Sequence, residues 1–399
     1  MEQSNQIPTS NYEAFRQHLL NPNKPFELST QEGKVLRIQK NLVISYISDS
    51  TGCGHIRNIF PMTYLNSIFG KTGRFNIIIS PIMLFQHDIL LRTRSIFFQR
   101  TMAPGHVQAV RMYKDAQKKY GFKMVYDIDD FIWDGPDVGE TIPDYNFGKR
   151  TITPEVQKSS IEIMNEMNTV CTSTQFLADY IRTHGVTKPE IKVVYNAVAQ
   201  YFWGPQRKKP IKDKIRRPKV IYTGSPTHYN NQTKLKGDWE NSWTEWVIKN
   251  VQENKIEFCC MGGLPFFFEP IKDRIKVVGW VNSYQYHLPI KDFRADIGIA
   301  PLVQNYFNYS KSDIKHIEYC ALGILSIGTV FTNGKPSPYD NNFVKVKDNC
   351  TAQDIDNIIA EYTEPEKYNQ VIKQQYEVLD KEGRWLESPQ YVKMITDIL

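Results

Sequence analysis

The 399 residues carry 49 Lys and Arg against 43 Asp and Glu, a net charge of +6, with 41% hydrophobic and 23% charged residues. That balance belongs to a folding, globular chain and excludes disordered, collagenous and fibrous classes, while the length exceeds what one hydrophobic core organises and predicts two domains. The best apolar run, residues 75–85, is broken by Asn76, Ser80 and Pro81 and falls short of the roughly 18 residues of a spanning helix, which excludes a transmembrane protein. The first 35 residues are polar and lack the apolar segment of a secretory signal, so the expected compartment is the cytoplasm. The six Cys form no Cys-x-x-Cys and mostly lie in apolar stretches, the pattern of reduced, packed thiols.

Residues 41–47 (NLVISYI) have a buried-strand pattern that ends in Ser50-Thr51-Gly52-Cys53-Gly54-His55 before a helical stretch to residue 69. Strand, glycine loop and helix in that order open a doubly wound domain. Apolar strand runs follow at 75–79, 95–98, 123–126, 168–172 and 191–195, and helical periodicity separates several of them, at 106–120, 154–167 and 174–184. Such alternation requires crossover connections and a mainly parallel sheet with helices on both faces.

Residues 207–219 then hold eight basic residues and one Asp, punctuated by Pro210 and Pro218 and preceded by Gly204 and Pro205. Prolines at that density prevent a continuous helix, so this segment is an exposed linker. Its charge suits either a solvated hinge or a contact for phosphates, with Lys208, Lys209, Arg216 and Arg217 as the candidate nucleic-acid contacts. Beyond it the rhythm restarts, with strands at 220–223, 256–261, 275–278, 297–300 and 324–327 and helices at 239–252 and 311–322, before closing helices at 351–362, 364–379 and 389–398. The expected division is a first Rossmann-like domain over 1–204, a basic linker over 205–219, a second doubly wound domain over 220–380, and a helix over 381–399 packing back on the first domain. Two such domains create a cleft, and ligands of open parallel sheets bind beyond the carboxyl ends of the strands.

The segment richest in chemistry is 296–323, DIGIAPLVQNYFNYSKSDIKHIEYCALG. Ser310-x-x-Asp313 fits a capping box, which starts a helix near Lys311 with its free amides facing the cleft. Lys311, Lys315 and Glu318 are four and three residues apart and share one helical face. Two cations suit a diphosphate and a carboxylate suits a ribose diol, so the set fits a nucleoside diphosphate; intrahelical salt bridges on an exposed face are the alternative.

This segment resembles the donor site of GT-B glycosyltransferases related to the large retaining family 4, in which a helix carries a Glu on the nucleotide ribose. The resemblance implies an α/β protein of GT-B fold, two doubly wound Rossmann-like parallel-sheet domains facing a cleft, with an acceptor-side first domain and a donor-binding second. It places Glu318 on the ribose. The commoner pattern has a second Glu eight positions earlier, where this chain has Ser310, so contacts to the sugar fall to Lys311, Ser312 or backbone amides. Residues 220–228 (VIYTGSPTH) look like the first strand and glycine turn of a donor domain, bringing Gly224 and Ser225 near the donor, and Lys234 and Lys236 are the candidates to replace the usual Arg and Lys pair downstream, which is not obvious here. Residues 192–198 (KVVYNAV) look like the strand and turn that end the first domain, and 49–57 (DSTGCGHIR) occupy the first glycine loop, with Gly54 and Arg57 toward donor phosphates. A surface salt bridge is the alternative for Arg57.

Tyr126-Asp127-Ile128-Asp129-Asp130 follows a strand, so its carboxylates emerge at the carboxyl end of the sheet. Asp127-x-Asp129 alone matches the acidic pair with which GT-A enzymes hold a divalent cation. The twofold architecture favours GT-B, in which no metal is required, and gives Asp129 the role of base or electrostatic stabiliser at the reacting sugar. His55 and His228 are loop histidines, either a general base or a hydrogen-bonded turn residue. The expected reaction is transfer of a sugar from a nucleotide-sugar co-substrate, with uridine as the nucleoside, to an acceptor hydroxyl, and the resemblance implies retention. The VYDIDD strand end looks like that of bacteriophage enzymes that glycosylate hydroxymethylcytosine in DNA, and the basic linker agrees with a DNA acceptor. Polysaccharide or lipid-linked acceptors, and a non-catalytic nucleic-acid-binding GT-B module, are the alternatives.

Overall fold

The computed structural model describes residues 26–29, 35–38, 40–48, 51–133, 142–146, 152–204, 209–239 and 241–399. An antiparallel pair, β1 (Phe26–Ser29) and β2 (Val35–Ile38), precedes two parallel sheets. The first contains β3 (Leu42–Tyr46), β4 (Asn76–Ser80), β5 (Thr93–Gln99), β6 (Lys123–Ile128), β7 (Thr169–Thr172) and β8 (Glu190–Val193), ordered β4-β3-β5-β6-β7-β8. The second contains β9 (Lys219–Thr223), β10 (Glu257–Met261), β11 (Lys276–Val278), β12 (Ile297–Ala300), β13 (Leu325–Val330) and β14 (Val344–Lys347), ordered β11-β10-β9-β12-β13-β14. The expected doubly wound α/β architecture is therefore present twice. Strand order reverses beside β3 in the first sheet and beside β9 in the second, and these switch points open the crevices that ligands use.

Every residue of β3 is buried because both faces of its sheet are covered. Ile44, Phe98, Met124 and Tyr126 pack into one layer, while Val43, Phe97, Val125 and Cys171 pack into the other. Helix Pro104–Tyr120 covers the first layer and stops at Gly121, whose left-handed φ of 67° lets its N–H close back on Gln117 O. The second sheet divides likewise, Val220, Tyr222 and Ile297 facing one core and Ile221, Cys259 and Met261 the other.

After helix Pro365–Lys381 the chain returns to the first sheet. Val198 N–H donates to Arg384 O and Leu386 N–H donates to Val198 O, and Tyr391, Ile395 and Ile398 of helix Pro389–Ile398 enter the layer of Val43 and Phe97. The basic segment from residue 209 does not hang free as a hinge. Its Ile211 N–H and C=O both bond the Asn369 side chain, Ile215 N–H donates to Thr363 O, and both isoleucines pack on the second core. Lys208, with residues 205–207, lies outside the described residues. Among the described residues no helix is long and apolar enough to cross a membrane.

Candidate functional site

Helix Ile314–Ala321 sits across the switch point of the second sheet. Tyr319 fixes it there, its hydroxyl meeting Thr223 N and Oγ1 at 3.2 and 3.0 Å at the end of β9 and donating to Ile299 O of β12 at 3.3 Å. Gly298 permits this approach, since a Cβ there would lie 2.5 Å from the Tyr319 ring. One turn before Tyr319 is Lys315, and beside it Glu318, so both reach the carboxyl ends of the central strands.

The helix begins three residues later than the capping box predicts. Ser310 Oγ donates to Phe307 O instead of capping, and Asp313, although at the N-cap, pairs with Arg384. Competition from these tertiary partners removes the box. Lys311 therefore belongs to the preceding loop, yet its side chain still converges with Lys315. Lys315 Nζ donates to His228 Nε2 at 3.1 Å, while Lys311 Nζ donates to Asp238 Oδ2 at 3.1 Å and lies 3.2 Å from His228 Nδ1. The same Oδ2 accepts from His228 Nδ1 at 2.6 Å, which fixes the proton on Nδ1. The other oxygen, Oδ1, accepts from Tyr145 at 2.5 Å and Asn308 at 2.6 Å.

Burial dominates the electrostatics. It lowers His228 to about 3, with Lys311 and Lys315 adding to the effect, so the imidazole is neutral. Burial alone would raise Asp238, but Lys311 and His228 overcome it and hold the carboxyl below the usual range. Lys315 falls to about 7 through burial and repulsion from Lys311, partly offset by Asp238 and Glu318. Glu318, 5% exposed, is raised to about 8 by burial against the opposing pull of Lys315. Among the described residues its carboxyl makes no hydrogen bond, and Lys315 is the charge that acts on it. Two lysine amino groups and a carboxyl without a hydrogen bond thus stand together in a buried site, an arrangement suited to an anion carrying hydroxyl groups.

Gly224 and Ser225 end β9 with structural duties. A Cβ on Gly224 would lie 2.2 Å from the Tyr222 hydroxyl, so side-chain packing demands glycine there whatever approaches from the cleft. Ser225 caps the short turn Pro226–His228 that presents the histidine, accepting from Thr227 N at 3.4 Å. Lys236 bonds Asn241 at 2.7 Å and Lys234 lies over the Phe266 ring, so neither joins the lysine pair. Ser312 Oγ accepts from Asn196 Nδ2 at 2.6 Å, and Ser310 O from Thr174 at 3.0 Å, which joins the loop before the helix to the first sheet.

Across that junction the first glycine loop departs from expectation. Gly54 is buried in a short helical turn that leads into a π-helical turn, His55–Ile59. Arg57 is 4% exposed and faces inward, spending its donors on Asp127, Val194 O and Asn196 Oδ1. It pairs with a carboxylate inside the first domain, not at the surface as the salt-bridge reading had it. Asp127, 1% exposed, has both oxygens on Arg57, and the three ligand atoms that gather at this strand end include Asp129 but not Asp127. Asp129 is 9% exposed, with Oδ1 buried and without a hydrogen-bond partner. Arg100 lies 3.8 Å from it and 3.1 Å from Asp130, carried there by a left-handed φ of 47° at the end of β5. Cys53, Asp129 and Asp130 offer three ligand atoms within 4.8 Å of one another, the only such group found among the described residues. His55 bonds Thr51 O through Nδ1 at 2.8 Å and sets its ring against Phe60 and Tyr284, the latter from the second half of the chain.

Lys209, Arg216 and Arg217 lead into the amino end of β9, opposite the end where Lys311 and Lys315 gather. Sequence reasoning missed Asp238, Tyr145, Asn308 and Arg100. No local pattern marks Asp238, whose partners His228, Asn308, Lys311 and Tyr145 are 10, 70, 73 and 93 residues away.

No protein-family model matches the sequence, and no curated protein matches it. Solved structures do. Anabaena HepE, solved with UDP and glucose, is 10% identical with a TM-score of 0.55, covering 90% of this chain and 98% of its own. Sucrose-phosphate synthase from Thermosynechococcus elongatus is 11% identical with a TM-score of 0.57, over 90% and 98%. The fold is GT-B. T4 phage BGT, solved with its UDP-glucose substrate, reaches a TM-score of only 0.47 at 11% identity. Within the GT-B frame the lysine pair and Glu318 lie on the second domain, at the reversal of its strand order.

Proposed function

We propose that this protein is a glycosyltransferase that moves a sugar from a UDP-sugar to an acceptor hydroxyl. The observation that carries the proposal is the convergence of Lys311 and Lys315 on neutral His228, with the unbonded Glu318 carboxyl one turn along. The lysines would neutralise the diphosphate as it leaves, and Glu318 would accept hydrogen bonds from the ribose hydroxyls. UDP in a GT-B relative supports the choice of nucleotide. Asp129, with its buried unbonded oxygen, is the group proposed to stabilise positive charge at the anomeric carbon or to take the acceptor proton, with His55 at the same junction; retention follows the family resemblance. Gly54, Gly224, Ser225 and Ser312 shape the donor site. No metal is needed for a leaving group met by two lysines; if one binds, Cys53, Asp129 and Asp130 are the residues to hold it.

Glu318→Ala is expected to weaken UDP binding about tenfold, the loss of one buried hydrogen-bond partner for the ribose, as measured by titration calorimetry. Unchanged affinity would remove the ribose role. Incubating the full chain with labelled UDP-sugars and either hydroxymethylcytosine DNA, unmodified DNA or oligosaccharide tests the reaction itself, and no label together with no donor hydrolysis would discard it.

The proposed acceptor is hydroxymethylcytosine in DNA, modified in the cytoplasm, that of the infected host if the chain is phage-encoded. Its support is the net charge of +6 and the resemblance of the VYDIDD strand end. Lys209, Arg216 and Arg217, with Lys208 beside them in sequence, would anchor the DNA backbone outside the cleft. Neutralising the three described residues is expected to lower the slope of log affinity against log salt by about 2–3 and to leave UDP binding intact. An unaltered slope would reject the anchor.

A further inference from the structure

We infer that Asp238 and His228 are positioning residues that aim Lys311 and Lys315 at the donor diphosphate. This rests on the UDP-sugar reading above and assigns the two residues that make its lysine pair possible. A lysine side chain is long and freely rotating, so two ammonium groups held side by side without an anion require acceptors that overcome their repulsion. Asp238 supplies them in two ways. Oδ2 accepts directly from Lys311 at 3.1 Å. It also accepts from His228 Nδ1 at 2.6 Å, which leaves the lone pair on Nε2 for Lys315 at 3.1 Å.

The second link depends on tautomer. Were Nε2 to carry the proton, its N–H would oppose the ammonium of Lys315 and the lysine would swing away. A carboxylate beside Nδ1 prevents this, because it can only accept. The carboxylate is itself immobilised, since Oδ1 is held by Tyr145 and Asn308 at 2.5 and 2.6 Å, and Asn305 bonds the Tyr145 hydroxyl at 3.2 Å. Tyr145 belongs to the connection between β6 and β7, whose Ile142 lies in the first core. The cations are thus aligned by a carboxylate that the first half of the chain helps to hold.

The test compares Asp238→Asn, His228→Leu and His228→Gln in the full chain, titrated with UDP and with inorganic pyrophosphate. An Asn amide can donate to Nδ1, which moves the imidazole proton to Nε2, so Asp238→Asn is expected to weaken both ligands tenfold or more. His228→Leu removes the acceptor and is expected to do the same. His228→Gln replaces Nε2 with an amide oxygen and is expected to recover most of the affinity, a rescue that a space-filling role would not give. Lys315 is faced by His228, Lys311, Asp238, Glu318 and the Tyr222 ring. Losing the negative charge of Asp238 should therefore move the pH above which UDP affinity falls to a lower value than in wild type. Wild-type affinity in Asp238→Asn and His228→Leu, or a Gln variant no better than Leu, overturns the inference. If Asp238→Asn fails to fold, the Leu and Gln pair decides alone. Absence of UDP binding by wild type would instead remove the parent reading, and this inference with it.

Discussion

Arg57→Ala is expected to cost about 3–5 kcal/mol, the usual penalty for breaking a buried ion pair from one side. The guanidinium is the only cation bonded to the Asp127 carboxylate among the described residues, and it also meets Val194 O and Asn196 Oδ1. Its loss leaves a carboxylate that is 1% exposed without a counter-charge. Burial opposes the charge on Arg57, but Asp127 more than compensates and raises the group above its ordinary value, so the guanidinium stays charged. Set against a typical total of about 5–15 kcal/mol, the variant would be at the edge of folding. Urea denaturation gives the number. A loss below about 1 kcal/mol would mean that the guanidinium is not bound internally and is available to a ligand phosphate. Arg57→Lys keeps charge but not the two-pronged contact and should fall between.

The second large effect is a trade of binding for stability at Lys315. Lys315→Met is expected to reduce UDP affinity about 100-fold, the loss of a charge-assisted contact of about 2–3 kcal/mol. The same change should raise the melting temperature of the ligand-free protein. Burial and Lys311 depress this lysine from 10.5 to about 7 in the fold, so folding is opposed wherever the unfolded chain would hold the proton. The penalty is complete below the folded value and is relieved as the pH climbs toward the unfolded one. An apolar side chain of similar length escapes it, with a gain of about 1–4 kcal/mol at neutral pH that shrinks toward pH 10.5. Glu318, raised to about 8, is largely protonated at neutral pH and is not stranded as a charge when Lys315 is removed. In wild type an incoming diphosphate should draw a proton onto Lys315, so UDP affinity weakens as pH rises above about 7 and the Met variant loses that dependence. A melting temperature that drops on substitution, with wild-type affinity flat across this range, would show that Lys315 is stably charged in the free protein and that its burial carries no penalty.

Much of the fold was legible because buried parallel strands leave a local signature. NLVISYI at 41–47 became β3, and 297–300 matches β12 residue for residue. The strand β14, Val344–Lys347, escaped notice because its burial alternates over only four residues. Lys315 and Glu318 were legible as neighbours on one helix because helical spacing is also local.

The other assignments turned on partners far away in the chain. Ser310 and Asp313 have the spacing of a capping box, and their bonds to Phe307 and Arg384 cancel it. Arg57 reads as a loop cation until Asp127, 70 residues on, is placed against it. The basic segment reads as a hinge until Asn369 holds Ile211. Asp238 carries no local mark at all. Composition and periodicity determined two parallel sheets, their order of elements and the helix that bears the lysine and glutamate, since these follow from which residues can be buried beside their near neighbours. Only the tertiary structure decided which charges are consumed internally and which remain for a ligand, because a buried charge is set by whatever opposite group the folded chain brings within a few ångströms, and sequence distance says nothing of that.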